Sequence, residues 1–316
     1  MKKLRISVVQ YFNTAPLVRG FTHGPLRGKY DLSFTVPSQC AEALRGGAAD
    51  VAIIPAIEYQ RIVSEGIGLT ILPGLSIASK ERVRSLLVLS KVPIRQARRI
   101  VLDRSSRSTQ ALVKILAAQR WQISPEFIEA EPDPAAMLRH ADAALIIGDI
   151  ALRIAIAAET HVTKGPDVEW LTEGATVGIP EIPQLHIYDM VKEWWHLTEK
   201  PAVLAVWAAR NDAFPESRIT TELVSDFLTS RDFGISQLAE ICAEASAQMQ
   251  LPEKELRLYL ERNIDFSLDA ENFQGLQRYW MICSALGLTA PLQSVAIAAG
   301  PGSAARYMDF VSARKA

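Results

Sequence analysis

VPSQCAEALRGGAADVAIIPAIEY, residues 36–59, reads as one full unit of an α/β layer. Ser38 stands where a helix N-cap is expected, ahead of AEAL, and Gly46-Gly47 supply the stop. Asp50–Ile54 is then a short, unbroken apolar run ended by Pro55, the pattern of a strand covered on both faces in a parallel sheet. Upstream, Ile6–Val9 reads as a strand, Pro16–Phe21 as the start of a helix and Leu32–Val36 as a second strand. Downstream, Ser85–Ser90 is another strand, closed by Lys91-Val92-Pro93.

A second series follows. Arg99–Leu102 reads as a strand, and Ala111, Leu112, Ile115, Leu116 and Ala118 keep helical spacing after it. Glu126–Ala130 is a strand, and Asp133-Pro134 opens a helix that runs to Arg139. Ala143–Ile147 is a strand running into Gly148-Asp149. Between Gly165 and Pro183 periodicity is lost, which suggests a long connection or flap. Ile187–Leu197 reads as a helix and Ala202–Ala208 as a strand. Helices are expected over 217–230, 234–248, 252–262 and 269–285, and the last fifteen residues as a loose tail.

Two βα series joined by two crossings give an α/β, two-lobed fold with a cleft between the lobes. Residues 1–90 plus 203–316, with the C-terminal helices, form the first lobe and 91–202 the second. Ligands of open α/β sheets sit outside the carboxyl ends of the strands. That rule selects Tyr11–Thr14, Pro37-Ser38, Pro55-Ala56, Ser105–Thr109 and Gly148-Asp149.

The 316 residues are enough for two cores, and a net charge of −1 gives no field for gathering nucleic acid or an anionic membrane. Lys2, Lys3 and Arg5 precede an apolar run, but Ser7 interrupts it and it ends at Gln10, short of a secretory core. No window approaches the ~20 apolar residues of a membrane span. Cys40, Cys242 and Cys283 are scattered and lack metal or redox spacing, so they read as buried apolar residues in a reducing cytoplasm. The five histidines, His23, His140, His161, His186 and His196, make no ligand pattern, and neither a metal nor another cofactor is expected.

DRSSRSTQ (103–110) brings Ser105, Ser106, Ser108 and Thr109 to the start of a long helix. Free N–H groups and the helix dipole make this an anion site, while helix capping accounts for only one or two of the four hydroxyls. Asn13 can serve a hydroxyl and a carboxylate together, yet Asn-Thr-Ala-Pro is also an ordinary turn. Asp149 reads as a base, an orienting acceptor or a cap. Arg84, beside Ser85, is either a binding cation or a solvated side chain. No GxxxxGK[ST], GxGxxG or GxSxG is present.

YFNTAPL (11–17), VPSQCAEALRGGAADVAIIPAIEY (36–59), LPGLSIAS (72–79) and VRSLLVLSKVP (83–93) resemble the chorismate dehydratase family of the futalosine route to menaquinone. LDRSSRSTQALVKILAAQRW (102–121), DAALIIGDIAL (142–152), YDMVKEWWHLTEKPAVLAVWAAR (188–210) and YLERNIDFSLDAENFQGLQRYW (259–280) continue the resemblance in order. It implies a periplasmic-binding-protein-like fold of the second type used as an enzyme, a hydro-lyase turning chorismate into 3-[(1-carboxyvinyl)oxy]benzoate. The sister family that cleaves cyclic dehypoxanthinyl futalosine has an SPCPNDTF-like start and a histidine after the IGD-type strand. YFNTAPL and Gly148-Asp149 favour the dehydratase. Gln10-Tyr11-Phe12 departs from the family's common Ser-Tyr-Leu, Arg104 is unusual, and residues 156–186 look longer than usual.

With chorismate as substrate, Asn13 and Ser85 are the expected catalytic residues, which would hold the leaving hydroxyl or the enolpyruvyl arm. Tyr11, Thr14, Ser38, Pro55, Ala56, Arg84, Ser105, Ser106, Ser108, Thr109, Gly148 and Asp149 would bind substrate. One carboxylate would rest on Ser106–Thr109 and the helix N-terminus, with Ser38 or the Pro55-Ala56 backbone at the other end. No histidine or glutamate presents itself as a base from its motif position, so the substrate's enolpyruvyl carboxylate is expected to take the ring proton. Chorismate is the only partner implied, with a monomer or homodimer in solution. The competing class is a carboxylate-binding protein or sensor of the same fold with no chemistry.

Overall fold

A computed structural model describes residues 3–158, 162–164, 169–171, 185–215, 219–301 and 306–309. The strands are β1 (Arg5–Val9), β2 (Asp31–Thr35), β3 (Val51–Pro55), β4 (Leu69–Ser79), β5 (Leu86–Ser90), β6 (Arg99–Asp103) and β7 (Glu126–Ala130). They continue with β8 (Ala143–Ile147), β9 (Val162–Lys164), β10 (Glu169–Leu171), β11 (Leu185–Asp189), β12 (Ala202–Arg210), β13 (Ser294–Ile297) and β14 (Arg306–Asp309). The helices begin with α1 (Ala15–Thr22), α2 (Pro37–Arg45), α3 (Ala56–Ser64), α4 (Arg107–Leu116), α5 (Pro134–His140), α6 (Gly148–Ala158) and α7 (Met190–Thr198). The C-terminal set is α8 (Thr221–Ser236), α9 (Leu238–Met249), α10 (Glu253–Leu258) and α11 (Ala270–Ala285).

Two sheets divide the strands, in the orders β14-β13-β4-β12-β3-β1-β2 and β7-β6-β8-β5-β11-β10-β9. The periplasmic-binding-protein-like architecture expected from the sequence is this one: β1 runs parallel to β2 and β3 in the first lobe, and β6 parallel to β7 and β8 in the second. Every residue of β3, β5 and β8 is buried, as helix-covered strands require, whereas β2 and β7 lie at sheet edges and are largely exposed.

Several local readings change. Residues 86–90 were assigned to the first lobe, but β5 pairs with β8 and β11, so the first crossing lies between Ser79 and Leu86. The strand that leads out of the first lobe is β4, which was overlooked because Pro73-Gly74 interrupts its pattern. Those residues sit in a bulge between Ile71 and Ser76, where the ladder to β12 shifts register. Ser38 is not the N-cap of α2: the helix starts at Pro37, two residues earlier than a Ser38 cap would place it, and Val36 takes the cap position. The supposed helix from Ile187 begins as β11, whose last residue, Asp189, caps α7. The expected loose tail contains β14, which pairs with β13 on the first sheet. Most of the 165–183 connection, and His161, lie outside the described residues.

The C-terminal helices hold the site's foundations in place. A Cβ on Gly234 of α8 would lie 1.9 Å from the Pro16 carbonyl oxygen, so only glycine lets α8 approach the start of α1 this closely. Cys40, Cys242 and Cys283 are free, buried thiols, and burial pushes the Cys40 thiol up to about 11. Among the described residues, no helix is long and apolar enough to cross a membrane.

Candidate active site

A cavity of about 60 Å³ lies between the lobes, at the strand ends named above. Tyr11, Asn13, Pro55, Ser85, Ser106, Thr109 and Gly148 line it, all but Ser85 from the start of a helix or the turn before one. Pro37, Val9, Ile77, Leu86, Ile147, Leu204 and Ala205 complete the wall. Leu204 reaches it through a bulge in β12, where Val203 pairs with Ala78 and Ala205 with Ile77. A wider surface concavity of about 840 Å³, lined by Lys80, Arg231 and Phe266, lies away from the strand ends. Two of its cations are engaged, Lys80 by Glu271 at 2.7 Å and Arg231 by Asp232 at 2.7 Å.

Five helices, α1, α2, α3, α4 and α6, start at this cavity with their positive ends toward it. None of the fourteen wall residues carries a formal charge, and Tyr11 is the one titratable group among them. Burial pushes its hydroxyl up to about 12, so it stays protonated at neutral pH. Ser106 is the N-cap residue of α4 but makes no side-chain capping bond; its hydroxyl pairs with that of Thr109 at 2.8 Å. Capping therefore does not account for Ser106, and no side chain of that residue screens the first-turn amides of α4 from a bound anion.

Ser85 owes its place to the crossing that precedes it. Arg84 has φ +64°, a left-handed conformation rare for a residue with a side chain. The buried Asp189 carboxylate holds that turn. One oxygen accepts from the amides of Arg84 at 2.7 Å and Val83 at 3.0 Å, the other from Val191 at 3.0 Å and Lys192 at 3.2 Å. Ser85 leaves this clamp facing the cavity, and the phenol of Tyr259, fully buried, donates to its hydroxyl at 2.8 Å.

The remaining expected contacts lie outside the wall, each for a visible reason. Thr14 is buried behind Asn13 and donates to its Oδ1 at 3.4 Å. The Ser38 amide meets the Ser105 carbonyl at 3.3 Å. The Ala56 carbonyl accepts from the Trp280 indole at 2.8 Å. Arg84 turns its guanidinium to Glu255 at 2.9 Å, away from the cavity. Ser105 donates to Asp103 at 2.7 Å and meets the Tyr11 hydroxyl at 3.3 Å. The Ser108 hydroxyl accepts from the Ile57 amide at 3.0 Å, capping the first turn of α3 from the opposite lobe. Asp149 accepts the Phe12 amide at 3.1 Å, and burial raises its carboxyl above the usual range.

Several of these bonds cross the cleft, as does Arg107, which reaches Glu42 at 2.7 Å and the fully buried Glu58 at 3.1 Å. The lobes are thus drawn together around the cavity. Gly148 permits this: its φ is +64°, and a Cβ there would come within 3.1 Å of the Tyr11 ring. Among the described residues, no group of three His, Cys, Asp or Glu side chains could hold a metal ion.

Tyr259 does not emerge from the sequence, because a helical tyrosine in the C-terminal region carries no local sign of where its hydroxyl goes. Nor do Leu204 and Ala205, since bulges do not announce themselves in a run such as AVLAVWA.

A family model described as menaquinone biosynthesis matches residues 4–285. Chorismate dehydratase of Thermus thermophilus is 25% identical over 289 residues, covering 91% of this chain and 97% of its own. Among solved structures, an Archaeoglobus fulgidus protein superposes with a TM-score of 0.64 at 16% identity, covering 90% of this chain and 98% of that one. The periplasmic aliphatic sulphonate-binding protein of Escherichia coli gives 0.58 at 16% identity, over 90% and 88% of the two chains.

Proposed function

We infer that this chain, which belongs to the menaquinone-biosynthesis family, is a chorismate dehydratase. It removes water from chorismate to give 3-[(1-carboxyvinyl)oxy]benzoate. Within menaquinone biosynthesis we place this step in the futalosine route. The free, buried thiols fit a reducing cytoplasm.

The observation that supports the chemistry best is a cavity wall without formal charge at the convergence of five helix N-termini. Chorismate brings two carboxylates, and backbone N–H groups with aligned dipoles can hold them without a cation. One carboxylate sits at Ser106, Thr109 and the start of α4. The Asn13 amide and the Ser85 hydroxyl serve the leaving oxygen and the enolpyruvyl arm. Since no wall residue is a base at neutral pH, the substrate's own enolpyruvyl carboxylate takes the ring proton. The carbon–oxygen bond to the ring hydroxyl then breaks, the oxygen leaves with a proton as water, and the ring becomes aromatic. Aromatisation supplies the driving force, so the protein's task is orientation and stabilisation of the leaving oxygen.

The test is to incubate the purified protein with chorismate, without metal or nucleotide, and to look for the dehydrated benzoate by mass spectrometry. Tight binding without turnover would instead identify a carboxylate carrier of the same fold. The pH–rate profile tests the substrate-derived base. With Tyr11 protonated up to about 12, kcat is expected to stay level between roughly pH 6 and 9. It should fall only as the substrate's carboxylate is protonated on the acid side. A step near neutrality that disappears on replacing one His or Asp would overturn this mechanism.

A further inference from the structure

Tyr259 lies 174 residues from Ser85 in sequence, on a π-helical turn, Tyr259–Asn263, that follows α10. Its ring is buried, 1% exposed, and stacks on Phe12 with centroids 6.1 Å apart. It does not line the cavity; its hydroxyl reaches forward from behind the wall to Ser85 Oγ.

The direction of that bond matters. A tyrosine hydroxyl has one proton, and here it is donated to Ser85 at 2.8 Å. Ser85 Oγ is thereby an acceptor on its buried side, and its own proton is left to turn elsewhere. Ser85 lines the cavity, so that proton is available to whatever oxygen occupies it. Nearby, Asn13 Oδ1 accepts the Thr14 hydroxyl at 3.4 Å. The buried phenol therefore orients the polar group at the crossing.

We propose that Tyr259 is a positioning residue for the dehydration: it fixes Ser85 as a hydrogen-bond donor into the cavity. The proposal rests on the dehydratase reading, and Tyr259 itself touches no substrate. It acts through Ser85 by removing the rotational freedom of its hydroxyl before the reaction starts. Without the phenol, the Ser85 hydroxyl can point its proton at the protein as readily as at the leaving oxygen.

The experiment is a double-mutant cycle of Tyr259→Phe and Ser85→Ala, with steady-state kinetics on chorismate and thermal denaturation of each variant. Phenylalanine keeps the ring and its stacking on Phe12. The expected result is a kcat lowered by about 10- to 100-fold in Tyr259→Phe, with KM within about 2-fold of wild type and a near-native melting temperature. In the Ser85→Ala background the same change should cost at least about 5-fold less than it does alone, because the group it orients is gone. Wild-type kcat in Tyr259→Phe, or an equal factor in both backgrounds, would overturn the proposal. So would loss of the fold in Tyr259→Phe, which would make the hydroxyl a structural tie. If wild-type protein fails to convert chorismate, the dehydratase reading itself fails and this proposal falls with it.

Discussion

Asn13→Ala is expected to lower kcat on chorismate by about 10²- to 10³-fold while KM moves by less than about 5-fold. Asn13 follows β1 in the single 3₁₀ turn Phe12–Thr14 and is buried, 8% exposed, at the cavity wall. Its Oδ1 accepts the Thr14 hydroxyl, which helps fix the amide before substrate arrives. A donor held rigidly against a developing charge contributes most when the carbon–oxygen bond is breaking, and little to the ground state. The two carboxylates would remain on the helix N-termini in the variant, which is why KM should hardly change. Steady-state kinetics of the two proteins decides it: a large rise in KM at unchanged kcat would make Asn13 a binding residue only.

Asp189→Ala should cost stability as well as activity. It would strip the acceptor from the buried amides of Val83, Arg84 and Val191 and the half-buried one of Lys192 at once. A buried donor left without a partner costs about 1–3 kcal/mol, and the relaxed site will re-solvate some of the four, so a loss of roughly 3–5 kcal/mol is expected in urea denaturation. The strained turn at Arg84 would relax toward ordinary dihedrals, and Ser85 would no longer be delivered to the wall. The variant should therefore show a lower denaturation midpoint and, in the fraction that remains folded, a kcat depressed as far as that of Ser85→Ala. An unchanged midpoint would mean that the crossing holds its shape without the carboxylate.

Much of this fold could be read from local pattern because its strands are short, apolar and covered on both sides. Val51–Pro55 and Ala143–Ile147 could be little else, and Asp133-Pro134 opens α5 as expected, with Asp133 accepting from the Ala136 amide at 2.9 Å. What was missed breaks the pattern for a physical reason. β4 carries a bulge at Pro73-Gly74, β11 runs straight into a helix, and β14 finds its partner in a segment whose composition looks like a tail. The site divides in the same way. Residues at strand ends, such as Tyr11, Asn13, Ser106 and Gly148, follow from a rule about sheets, and they do meet at one cavity. Arg84 was considered for its charge, whereas its contribution is a backbone angle. Ser108 was considered as a ligand for substrate, whereas its hydroxyl is taken by α3. Side chains that act through a tertiary partner leave no trace in a window of ten residues.

The bonds that cross the cleft have a further consequence, because several are donated by main-chain amides of the first lobe: Phe12 to Asp149, Ser38 to Ser105 and Ile57 to Ser108. Each loses its acceptor when the lobes part, and each belongs to a different strand-to-helix junction. Their exchange with deuterium is thus gated by opening, while the neighbouring amides inside α1, α2 and α3 stay protected. Opening of the lobes can therefore be followed at three main-chain amides, without a ligand or a mutation.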